Sequence, residues 1–156
     1  MQRHDLQLFA DYHQFYLQDD DSKYGDLSEA WTVEATERLL AVAPHVVGVG
    51  TVRNVEVPVT IEIHDSRPPI DLSTWDQVNL ASIQVDTGRV AVAGCTDYLP
   101  DALRIKVAPG AYEVLVCYSG LGSLSDDGLE GEDRYWIALY PGNLQAVTVL
   151  KERADG

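Results

Sequence analysis

Apolar and polar positions alternate with a period of two through most of the chain. Val57, Val59, Ile61 and Ile63 fall on one face, and Pro58, Thr60 and Glu62 on the other. That is the pattern of a half-buried strand, with Pro58 marking a strand start or an edge. Further strands are predicted over 46–52, 78–85, 89–94, 103–107, 111–118, 134–140 and 144–150, and a long aromatic-rich strand over Leu6–Gln18. In 112–118 both faces become apolar, which predicts a central strand covered on both sides. Asp86-Thr87-Gly88, Ala108-Pro109-Gly110 and Pro141-Gly142-Asn143 carry turn chemistry between strands and predict three tight hairpins.

One segment breaks this period. Trp31, Ala35, Leu39 and Val42 approximate a helical stripe, which predicts a helix over Ser28–Leu40 capped by Asp26 or Ser28. Eight or nine short strands with one short helix predict an all-β fold, an antiparallel, jelly-roll-like β-sandwich. A parallel α/β fold would need repeated crossover helices, for which there is no room. No repeat or low-complexity linker divides the chain, so 1–156 is expected to form a single domain.

Composition narrows the function classes. At 46% hydrophobic residues the chain can build a core, which excludes a wholly disordered acidic protein. Its formal net charge of −14 argues against direct binding of nucleic acid or an anionic membrane. No stretch approaches the ~20 apolar residues of a membrane span. The start, MQRHDLQLF, lacks an apolar run of signal-peptide length, so a cytoplasmic location is expected. Cys95 and Cys117 lie in apolar runs and read as reduced core thiols.

Catalytic signals are weak. His4, His13, His45 and His64 show no metal-ligand spacing, and His64-Asp65 reads as a strand-end turn. Ser119-Gly120-Leu121-Gly122-Ser123 lacks the helix that a phosphate loop uses, and no GxSxG elbow is present. No enzyme activity and no cofactor are expected.

The acids are the distinctive chemistry. Residues 19–29 and 126–134 together hold ten of the 25 acids with only two bases. Both windows are predicted loops. They fit a docking surface for a basic partner protein such as a nuclease, with Asp19, Asp20, Asp21, Asp26, Asp126, Asp127, Glu130, Glu132 and Asp133 as candidate partner-binding residues. They also fit solvated loops that keep the protein soluble. Calcium is a third reading, although neither window has the spaced acidic pattern of a calcium loop. Tyr16, Tyr24 and Tyr98 are aromatic surface candidates near these loops.

The segment Asp11-Tyr12-His13-Gln14-Phe15, the block Trp31-Thr32, Glu34-Ala35, Glu37-Arg38 and Arg53-Asn54, and the later Pro109-Gly110-Ala111-Tyr112 and Asp133-Arg134-Tyr135 resemble the competence protein J family of bacterial inhibitors of a DNA-entry nuclease. The Trp75-Asp76 segment and the Asp126–Asp133 loop fall outside that pattern. The resemblance implies a β-sandwich and an inhibitor role, and assigns no inhibitory residue. The expectation is therefore a non-enzymatic binding protein, an inhibitor or immunity-type partner of a nuclease. The alternative is a sandwich that binds a small molecule, a carbohydrate or calcium, which predicts a concave aromatic-lined site.

Overall fold

The computed structural model describes residues 1–20, 27, 29–94 and 96–153. Eleven strands form two sheets. They are β1 (Gln2–Phe9), β2 (Gln14–Asp19), β3 (Leu40–Ala43), β4 (Val46–Gly50), β5 (Glu56–Ile63), β6 (Gln77–Val85), β7 (Arg89–Gly94), β8 (Leu103–Lys106), β9 (Gly110–Ser119), β10 (Arg134–Pro141) and β11 (Thr148–Lys151). The larger sheet has the order β1-β5-β10-β9-β6-β11, the smaller β3-β4-β2-β7-β8. All pairings are antiparallel except β5 with β10, which run parallel. The architecture is the expected all-β sandwich, with eleven strands rather than eight or nine.

The alternation explains the core. Phe15 and Leu17 of β2, Val47 and Val49 of β4, Val59 and Ile61 of β5, and Ile137 and Leu139 of β10 meet in one buried cluster between the sheets. Each is at most 1% exposed, so burial of this apolar face is what fixes strand register. The strand β9 is central, flanked by β10 and β6, and buried from Val114 to Tyr118. A second cluster, including Val78, Leu115, Cys117 and Tyr140, lies apart from the first, with Trp75 and Trp136 packed against it. Burial pushes the Cys117 thiol up to about 12, which keeps it protonated and inert. Cys95 lies outside the described residues.

Three sequence expectations are corrected. The segment Leu6–Gln18 is not one strand: Tyr12 and His13 take left-handed φ values of 58° and 60°, and the chain passes there from β1 in the larger sheet to β2 in the smaller. The helix α1 is only Val33–Arg38, capped by Thr32, whose Oγ1 accepts from the Ala35 N–H at 3.1 Å. Leu39 ends it in the left-handed conformation, and Leu40 opens β3. Asp26 and Ser28, the expected caps, lie outside the described residues.

The three turns are not hairpins. Asp86-Thr87-Gly88 joins β6 to β7, and the segment around Ala108-Pro109 joins β8 to β9, so each crosses between sheets. Pro141-Gly142-Asn143 leads from β10 to β11 at the far edge of the same sheet. The chain-adjacent strands that do pair are β3 with β4, β7 with β8, and β9 with β10. Pro58 is neither on an edge strand nor at a strand start: it is the third residue of the inner strand β5, opposite Gln7 of β1, and it is tolerated there because the register with β10 begins only at Val59.

Candidate functional site

The strands and the ties between sheets define two ends of the sandwich. At one, β2 and β6 finish and β7 begins. Asp19, expected in a solvated loop, is fully buried there at the last position of β2. Its carboxylate accepts from the Asp86 N–H (2.8 Å), the Thr87 N–H (3.1 Å) and the Thr87 hydroxyl (2.6 Å), which ties the two sheets together. Burial works to raise its pKa. The hydrogen bonds from Thr87 and the Asp86 amide, with His45 nearby, outweigh burial and hold it below the ordinary carboxylate value. Asp20 is held between Arg89 (2.8 Å) and Arg104 (3.3 Å), and its pKa is lowered chiefly by the Arg89 hydrogen bond. Asp21, Tyr24 and Asp26 lie outside the described residues.

Asp19, His45 and Asp86 bring ligand atoms within 4.8 Å of one another, the one such group among the described residues. The chemistry does not suit a metal as it stands. His45 Nδ1 lies 2.9 Å from the Gln84 carbonyl, which can only accept, so that nitrogen carries the proton and has no lone pair for a metal. Both Asp19 oxygens already accept hydrogen bonds.

At the other end β9 finishes, β10 begins, and residues 120–133 connect them. Asp133 is also fully buried rather than loop-exposed. It accepts from the Tyr135 hydroxyl (2.7 Å) and pairs with Arg53 (2.5 Å). The Tyr135 hydroxyl in turn accepts from the Val52 N–H at 2.9 Å, and burial raises its pKa. Tyr135 packs edge-on to both Phe15 and Tyr118, so the root of the loop is locked into the core.

Above that root the loop is ordered by its own side chains. Ser123 Oγ accepts from the Glu132 N–H (2.7 Å), Ser125 Oγ accepts from the Glu130 N–H (3.0 Å), and Asp127 Oδ1 accepts from the Ser125 hydroxyl (2.6 Å) and the Leu129 N–H (3.0 Å). The Ser125 hydroxyl and the Leu129 amide hold Asp127 below the usual carboxylate range. Asp126, Asp127, Glu130 and Glu132 are all exposed, and Leu129 is 57% exposed among them. Four carboxylates around one apolar side chain, on a loop fixed at its base, make a preorganised anionic surface. The single leucine inside an acidic window was the available sequence signal for this apolar centre.

The seven candidate acids among the described residues are therefore not brought together. Asp19 and Asp20 sit at the opposite end of the strands from the 126–133 group, and Asp19 and Asp133 are framework residues. His13 and His64 are likewise at different ends. His13 Nδ1 lies 3.1 Å from the Thr51 carbonyl, and His64 Nε2 lies 2.8 Å from Glu62 rather than meeting Asp65. Tyr98 is 71% exposed, while Tyr16 is half-buried, with its hydroxyl on Gln14. Among the described residues no helix is long and apolar enough to cross a membrane.

These features define an all-β sandwich with an acidic loop at one end and a buried, hydrogen-bonded carboxylate at the other. No family model and no curated protein matches the chain. Two solved structures share its fold. ComJ, inhibitor of the DNA degrading activity of NucA, from Bacillus subtilis, superimposes with a TM-score of 0.66 at 18% identity, over 91% of this chain and 96% of that one. The protein of crocagin biosynthetic gene J gives a TM-score of 0.61 at 20% identity, over 92% of this chain and all of that one. The likeness to the competence protein J family read from the sequence thus has a counterpart in the fold. At these identities the likeness is one of fold alone.

Proposed function

We propose that this chain is a non-enzymatic binding protein that inhibits a nuclease. In this reading Asp126, Asp127, Glu130 and Glu132 dock on the basic face where the nuclease holds DNA phosphates, with Leu129 filling an apolar recess at the centre. The supporting observation is the exposed loop itself: its backbone is tied at Glu130 and Glu132 and the Asp127 carboxylate is held by Ser125 and Leu129, so little backbone entropy is lost on docking. Carboxylates facing a phosphate-binding groove speed association and make it salt-sensitive. The fold shared with an inhibitor of NucA agrees with this reading. Asp20 belongs to a separate, second patch in the proposal, while Asp19 and Asp133 hold the scaffold.

The test is DNA degradation by NucA with and without the protein. The wild type is expected to slow it, and the variant Asp126→Asn/Asp127→Asn/Glu130→Gln/Glu132→Gln is expected to lose that effect while melting no lower than the wild type does. A degradation rate unchanged by excess wild-type protein, or full inhibition by the variant, would overturn the reading.

A further inference from the structure

The outward face of β1, β5 and β10 carries a groove of about 380 Å³ that includes Arg3, Asp5, Thr60, Trp75, Arg134 and Trp136. Strand register builds it. Asp5 stands opposite Thr60, and Thr60 opposite Trp136, in one row across three strands, while Arg3 stands opposite Glu62 in the next. Trp75, from the segment before β6, stacks on Trp136 with centroids 5.9 Å apart and planes 21° from parallel. Both rings are half-buried, so an apolar platform remains at the surface.

The polar groups around this platform are held in place. Asp5 accepts from the Thr60 hydroxyl (2.8 Å) and from Arg3 (3.2 Å). Glu62 accepts from the Trp136 indole N–H (3.0 Å) and pairs with Arg3 (3.4 Å). Arg134 is exposed and has no side-chain partner among the described residues. Arg3, Asp5 and Arg134 are the charged residues lining the groove, and Glu62, buried beside Arg3, brings the local charge to zero on a chain of charge −14.

This combination discriminates between ligand chemistries. An anion would meet Asp5, with the Glu62 charge close behind Arg3, and a cation would meet Arg3 and Arg134. A purely apolar ring would strip water from these groups without replacing its hydrogen bonds. A sugar ring has a C–H face for the indoles and, at its edge, hydroxyls that both donate and accept. We propose that this groove binds a neutral carbohydrate, a pyranose lying on the Trp75–Trp136 stack with hydroxyls directed to Asp5 and Arg134. The site adjoins the acidic loop only at Arg134 and does not depend on the inhibitor reading.

The test titrates cellotetraose, chitotetraose, maltotetraose and adenosine monophosphate while following tryptophan fluorescence. A saturable change with at least one tetrasaccharide is expected. Trp136→Ala and Trp75→Ala should each weaken it by about tenfold or more, the loss expected for an aromatic stacking contact plus its buried area. The four-acid loop variant should bind as the wild type does. Trp75→Ala alters a loop residue, so it carries the test even if Trp136→Ala does not fold. Silence toward all three sugars, binding that survives loss of the ring, or a response to the nucleotide alone would overturn the proposal.

Discussion

Asp19 shows how one carboxylate can be a structural element. It is fully buried, accepts three hydrogen bonds from Asp86 and Thr87, and lies 3.4 Å from His45 Nδ1. Its folded pKa is lowered, so the unfolded chain takes up the proton first as pH falls. The stabilisation is therefore complete above the unfolded value of about 4 and is lost as pH drops through the folded value. Asp19→Asn places amide hydrogens against backbone N–H donors, so it should cost about 2 kcal/mol at pH 7. It should also flatten the acid limb of the stability curve, as urea melts from pH 7 down to pH 3 would show. Sequence patterning could not separate Asp19 from its neighbours, because an acid at a strand end looks like an acid in a loop. What distinguishes it is Thr87, 68 positions away, whose contact only the folded chain creates.

At the scale of elements, most strands were legible because each has to bury alternate side chains. Their partners were less so. Turn residues set local φ and ψ, and Gly88, at φ +77°, takes the conformation its position predicts. Local geometry does not say which sheet the next strand will join. The β6–β7 reversal crosses sheets because Val90 and Val92 reach the core from the smaller sheet while Ile83 and Val85 reach it from the larger. β3 was missed because its four residues follow the helix without a turn signal. In the β9–β10 connection the acids were visible in the sequence, but the anchoring was not. Gly120 sits at φ +69°, and an added Cβ would collide with the Glu132 carbonyl oxygen. Gly120→Ala should therefore cost about 2 kcal/mol, combining a left-handed penalty with the steric clash. Amide exchange in 121–132 should accelerate more than in β2 or β7. A variant that melts and exchanges as the wild type does would show that the loop is not fixed at this point.

For the whole molecule, a charge of −14 says that like charges repel, and the fold decides where. The nine-residue strand β6 runs from one end of the sandwich to the other, about 30 Å at ~3.3 Å per residue. That exceeds the Debye length of about 10 Å at 0.1 M salt, so the two acidic regions act on each other weakly. Their local settings also differ. Asp20 has Arg89 and Arg104, whereas Asp126, Asp127, Glu130 and Glu132 crowd one loop with exposed Arg134 as the base in their window. Neutralising the four loop acids should raise stability at low salt, and the gain should fade as salt screens the repulsion. Asp20→Asn should lower stability by up to about 1 kcal/mol, the scale of a partly exposed ion pair. Combining the two sets should give their sum to within about 0.5 kcal/mol, since neither shares a partner with the other. Urea melts at two salt concentrations measure all three quantities. A larger coupling would mean that the ends communicate through the sheets, and that neutralising one patch also perturbs the surface assigned to the other.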